Sequence, residues 1–228
     1  MLSDGDEVSI SPDRSQQLVA ELLRVGIGGA GPMKGAFEVA DECRKKTDDE
    51  DAAVRRLVRL HKAEAATAGF VTSLGGLITL PVSIPVSIGV SYIIQTRLVA
   101  SIAHLRGHDL DDEDVRLAIV VCLLGNAGVE VVKHASVDAG TRVATNALKR
   151  LPGTALTKIN QRVGFRLVTK FGERGVVNLV KVVPIVGGVV GSTVDYAACA
   201  LVARVALRTF GPNGSVLLEP QAAENGTD

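Results

Sequence analysis

Arg97, Ser101 and His104 stand at i, i+4 and i+7 of an apolar stretch, so a helix there puts all three on one face. Gln95 falls off that face. A fourth polar group, Asp195, is the lone charge between Val182 and Ala203. If the two segments pack together, Asp195 can pair with Arg97 or His104. An arginine–carboxylate pair inside an apolar bundle is charge-assisted and geometrically specific, and it is costly to break. Such a cluster suits three roles. It could hold the polar end of a lipid-like or other apolar ligand, act as a His–Asp catalytic pair, or fix helix register. No residue is assigned as catalytic, because no nucleophile stands at a recognisable motif.

A second pattern is electrostatic. Lys158, Arg162, Arg166, Lys170 and Arg174 recur every fourth residue, beside Ile159, Val163, Leu167 and Phe171. From Arg142 to Lys181 the only acid is Glu173. A basic amphipathic helix suits an anionic membrane surface, worth about 1 kcal/mol per cation near such a bilayer. The same row also reads as a solvated face, balanced by the acidic stretches near 41–51 and 109–114. Nucleic acid is not expected, since few aromatics interleave with the cations.

Other motifs carry less. Gly26–Gly31 spells GxGxxG, but a helical pattern precedes it where a strand is required, so it reads as an interhelix loop. His104 and His108 are separated by Gly107, which should end their helix. Asp109, Asp111, Glu113 and Asp114 lack the glycine and glutamate of a calcium loop and read as a helix start. Neither a metal nor a cofactor is expected. Three scattered cysteines suggest no disulfide framework and fit a reducing compartment.

The elements that must position these groups are helical. The 228 residues are 46% hydrophobic and only 3% aromatic, without net charge. No global field therefore drives binding, and any attraction must be local. Helix starts are read at Ser11-Pro12-Asp13, at Thr47 with Glu50 in capping-box spacing, and at the acids near 112. The helix opened near Thr47 is expected to run towards Ala68. Residues 1–10 and 211–228 read as disordered tails around one domain, 11–210, of seven to nine helices. The acidic start of the chain shows no signal-peptide pattern.

The stretch PVSIPVSIGVSYIIQ, residues 81–95, lies in an uncharged run from Ala65 to Thr96. Pro81 should stop a helix that begins near 65, and Pro85 should open the next, running to about Arg106. Gly75 and Gly76 weaken the first half further. Neither half reaches the roughly 20 residues a bilayer requires. A hairpin remains, either buried in protein or dipping into lipid. Ser83, Ser87 and Ser91 form a small-residue row; Gly187 and Gly191, and Gly188 with Ser192, repeat the device. These two faces are expected to pack on each other, giving an all-α bundle whose apolar hairpin packs on a C-terminal Gly-rich helix.

The stretches GFVTSLGGLITLPVSIP (69–85), QTRLVASIAHLRGHDL (95–110), DVRLAIVVCLLGNAG (114–128) and VVPIVGGVVGSTVDY (182–196) resemble the EcsC protein family. The resemblance runs from about residue 20 to 210. It implies a helical and mostly bacterial protein, from a family named after a component encoded beside an ABC transporter, and it carries no activity over. The family's motif polar positions fall on Gln95, Arg97, His104 and Asp195. Residues and resemblance together lead to an expectation of a non-enzymatic protein. It would sit peripherally on the inner face of the membrane, in the cytoplasm, with an anionic membrane surface as partner. A membrane-protein partner of unknown identity fits the same picture. A soluble binder of a lipid-like ligand, or an enzyme using His104 and Asp195, are the alternatives.

Overall fold

A computed structural model describes residues 12–73, 89–125, 127–128, 157–163 and 184–211. Its named helices are α1 (Pro12–Gly28), α2 (Ala36–Arg44), α3 (Glu50–Ser73), α4 (Val90–Leu105), α5 (Glu113–Leu123) and α6 (Pro184–Thr209). Residues 157–163 are helical as well. Among the described residues there is no strand, so the all-α expectation holds.

Local chemistry sets most boundaries. Proline opens α1, with Asp13 on the positive end of the helix dipole. The Asp112 side chain accepts from the Asp114 backbone N–H at 2.8 Å and caps α5. Gly107, at φ +83°, ends α4. There His108 N–H donates to Ala103 O and Gly107 N–H to His104 O, both at 3.0 Å, closing the helix in a Schellman motif. The GxGxxG stretch is the end of α1 and the following turn, as expected of an interhelix loop.

Two expected boundaries move. The α3 cap is Asp49, whose carboxylate accepts from Ala52 N–H at 2.5 Å. Thr47 instead donates to Cys43 O at 2.9 Å and closes α2. The change from charged to uncharged sequence near 65 is not a helix boundary either. Helix α3 runs through it to Ser73, carried by Ala63, Ala65, Ala66 and Ala68, alanine being the strongest helix former. Helix α4 begins at Val90, after an extended Gly89, rather than at Pro85. Gly75, Gly76, Pro81, Pro85, Ser83 and Ser87 lie outside the described residues, as do Arg166, Lys170, Arg174 and both tails.

Helix α4 is the axis of the bundle. It touches each of the other five helices. From Ser91 to Leu105 every residue but His104 is buried, which is the pattern of a helix packed all round. Ile93, Ile94, Leu98, Ile102 and Leu105 are among its fully buried side chains, each worth about 1.5–3 kcal/mol of burial. Helix α6 packs on α4 and α5 but most extensively on α3.

On α6, Gly188 and Gly191 meet α3, while Ser83 and Ser87 of the row expected to face them lie outside the described residues. A side chain on Gly69 of α3 would lie 2.4 Å from Gly191 O, so only glycine lets the two backbones approach this closely. Gly188 sits against the Phe70 ring, also on α3. The glycines of α6 thus meet α3. From the serine row, Ser91 does reach α6, through Asp195.

Candidate functional site

The shared face of Arg97, Ser101 and His104 is real, and it looks towards α2 and the turn before it. Arg97 donates from one terminal nitrogen to Lys34 O at 3.2 Å, and Ser101 Oγ donates to Ala36 O at 3.0 Å. His104 Nε2 lies 3.6 Å from Asp41 Oδ1, and its ring meets Phe37 edge-on at 5.0 Å. One helix face therefore supplies three separate anchors along α2.

Arg97 is the best-built of them. Its side chain is 5% exposed, and all three nitrogens are engaged. The other terminal nitrogen pairs with Glu64, a charge-assisted bond. Its Nε–H donates to His61 Nε2 at 3.2 Å. His61 is 1% exposed and places Nδ1 3.0 Å from Leu57 O. The carbonyl can only accept, so Nδ1 carries the proton and Nε2 is free to accept from Arg97. Burial, and then the neighbouring Arg97 charge, push the His61 pKa down to about 4. Near neutral pH His61 is thus an uncharged acceptor that lets a guanidinium be buried. An open groove of about 580 Å³ adjoins the cluster, with Pro32, Met33, Val39 and Leu60 as its apolar walls.

His61 was missed by the sequence reading, although a signal existed. Val54, Leu57, His61 and Ala65 follow helical spacing, so the histidine occupies a core position of α3.

Asp195 lies elsewhere. It is 7% exposed and accepts from Ser91 Oγ at 3.1 Å, while Gln95 Nε2 donates to that same Ser91 oxygen at 3.1 Å. Ser91 and Gln95 are four apart on α4 and face α6. Arg97, two positions further, points about 200° around the helix, towards α2 and α3. The expected pairing of Asp195 with Arg97 or His104 does not form. His104 is thirteen residues from Ser91, about 20 Å along α4 at ~1.5 Å per residue. Gln95 and Asp195 are brought together through a serine; Arg97 and His104 each have other partners.

The family match can be set against this geometry. EcsC protein family sequence spans residues 38–211. The chain belongs to the EcsC protein family. No curated protein and no solved structure matches it. The EcsC match begins inside α2 and runs past the end of α6, leaving α1 outside it. All four polar positions carried over from the resemblance fall within it.

The cysteines of this EcsC-family chain are placed away from reactive surroundings. Cys43, Cys122 and Cys199 are buried and free. Burial pushes the Cys122 and Cys199 thiols up to about 12, far from the thiolate form a nucleophile needs. Among the described residues no group of three His, Cys, Asp or Glu side chains could hold a metal ion. Of the basic row, Lys158 and Arg162 are exposed over buried Ile159 and Val163, as an amphipathic helix requires.

Proposed function

We propose that this chain is a peripheral membrane protein without chemistry of its own, held to the cytoplasmic face of an anionic bilayer by the outer side of α6. The observation that carries the reading is the unburied apolar surface of that helix. Gly188–Thr209 is a 22-residue apolar stretch, about 33 Å at ~1.5 Å per residue, of which 28% of the most apolar window is buried. Val189, Val190, Val194 and Leu201 project outward, each at least half exposed. Apolar patches of this kind are uncommon on proteins that meet only water. Lys158 and Arg162, on the basic row, would add attraction that falls with salt.

Attachment suits α6 better than spanning. Its inner side carries Asp195, Cys199, Val202, Ala203 and Ala206 against the bundle. To cross a bilayer the helix would have to leave that packing and take Asp195 into hydrocarbon, at about 2.5–3.5 kcal/mol on insertion scales. The test is flotation with phosphatidylcholine vesicles, with and without phosphatidylglycerol. Binding should require the anionic lipid and weaken with salt. The double variant Val190→Asp, Val194→Asp should lose it several-fold while keeping its helical spectrum. Protein left wholly in the unbound fraction at low salt would end the proposal.

A second reading, a soluble binder of a lipid-like ligand, is favoured by the apolar groove beside Arg97. Lipid co-purifying with the protein, seen by native mass spectrometry and lost in Leu60→Asp, would support it.

A further inference from the structure

Five of the twelve described arginines have carboxylate partners at ion-pair distance. Arg24, Arg44, Arg97, Arg106 and Arg116 all form ion pairs. Lys46, Arg55, Arg56 and Arg59 form none among the described residues, and all four line one groove. The groove lies between the α2–α3 turn, the first half of α3, the end of α4 and the last turn of α6. Its floor is apolar, made by Ala52, Val54, Val58 and Leu207. Its volume is about 920 Å³, at the upper end of the ~300–1,000 Å³ typical of small-ligand sites.

A second, independent observation concerns hydrogen bonds. The Nε–H groups of Arg56 and Arg106, both groove residues, are buried with no acceptor. The Arg106 side chain is 9% exposed, so this donor is not left to bulk water. Buried donors are rarely unpaired, because leaving one so costs about 1–3 kcal/mol. Glu50 and Asp51 engage only the terminal nitrogens of Arg106, at 2.5 and 2.8 Å. In a chain with zero net charge, four cations without an ion pair among the described residues, and the two residues with orphaned guanidinium donors, line one apolar-floored trough, to which Asp51 adds a single carboxylate.

We propose that this groove binds a single anionic amphiphile, with its phosphate among Lys46, Arg55, Arg56 and Arg59 and its acyl chain along Val54, Val58 and Leu207. Guanidinium groups suit phosphate because their planar forks bond its oxygens two at a time. The apolar floor sets this site apart from a bare phosphate site, since it rewards a chain that the inorganic ion lacks. The groove takes only Leu207 from α6, about 9 Å along the helix from Leu201 at ~1.5 Å per residue, and the proposal stands whether or not α6 meets a bilayer.

The test uses the full chain and calorimetry with three probes at one ionic strength: lysophosphatidate below its micelle concentration, lysophosphatidylcholine and inorganic phosphate. Lysophosphatidate should bind at least tenfold tighter than either of the others. Arg55→Gln with Arg59→Gln, both at exposed positions, should cost at least tenfold and reduce the salt dependence. Leu207→Trp keeps every charge but fills the trough; it should weaken lysophosphatidate and leave phosphate unchanged. Val190→Asp, Val194→Asp should leave lysophosphatidate affinity unaltered even where vesicle binding is lost. Equal affinity for lysophosphatidate and phosphate would overturn the proposal, as would an Arg55→Gln, Arg59→Gln protein that binds like the wild type.

Discussion

Helices α4 and α6 are written in nearly the same alphabet, Val, Ile, Leu, Ala and small polar residues, yet the fold uses them differently. Helix α4 is enclosed on every side. Helix α6 buries one side and turns Val189, Val190, Val194 and Leu201 outward. Apolar content therefore separates neither a core helix from a surface one nor either from a membrane-contacting one. Among the described elements, what separates them is the neighbours the topology supplies: five helices for α4, and mainly α3 for α6.

The polar residues follow the same division. In α4, Ser101 donates to Ala36 O and Arg97 to three partners on other elements, while Thr96 donates to Tyr92 O of its own helix. In α6, Thr193 donates to Val189 O in its own helix and stays exposed. A polar group enclosed on all sides must be paired within the protein, in its own helix or another, whereas one beside water need not be.

Substitutions can break this contrast, beginning with the largest effect. Arg97→Ala should destabilise by about 3–5 kcal/mol, because it leaves a cavity and strips the buried His61 Nε2 of its donor. A urea midpoint shifted by less than a quarter of that would mean the Arg97 side chain is not enclosed. Leu98→Ala on α4 should cost about 2–5 kcal/mol through cavity formation, against about 0.5 kcal/mol or less for Leu201→Ala on α6. Equal losses in the same urea titration would put Leu201 inside and remove the basis for an exposed α6 surface.

Acid sharpens the comparison further. His61 titrates near 6.5 when unfolded and about 4 when folded, so between these values the unfolded chain binds the extra proton. Stability from this group is complete above pH 6.5 and is lost as pH falls towards 4. The loss is at most about 3 kcal/mol at 1.36 kcal/mol per unit. In His61→Leu the dependence over that window should flatten even though the protein starts less stable. An unchanged slope would assign it to other groups. The smallest stability effect belongs to Val190→Asp, Val194→Asp, within about 0.5 kcal/mol per site, since both side chains already face outward.

Much of the helix punctuation was legible because its causes are local. Pro12, the Asp112 cap and the Gly107 stop each act within a few residues, through a missing N–H, a side-chain acceptor or a positive φ. Thr47 misled because a capping box needs only spacing, and Asp49 offered a closer acceptor to the same helix. The polar face of Arg97, Ser101 and His104 was also legible, since it follows from helical geometry alone. Its partners were not. Lys34 O, His61 and Glu64 come from other elements, and nothing in their spacing to Arg97 announces the contact.

The sequence by itself determined that the chain is helical, where several helices begin and end, which α4 residues share a side, and its EcsC family membership. The helical features depend on interactions within a turn or two of the chain, and the family on a pattern running over residues 38–211. Only the tertiary structure decided that Asp195 meets Ser91 rather than Arg97, that Gly69 is where α3 and α6 touch, and that α6 keeps an apolar side uncovered. Those outcomes depend on how helices are placed around α4, and that placement is set by packing of the whole core rather than by any single segment.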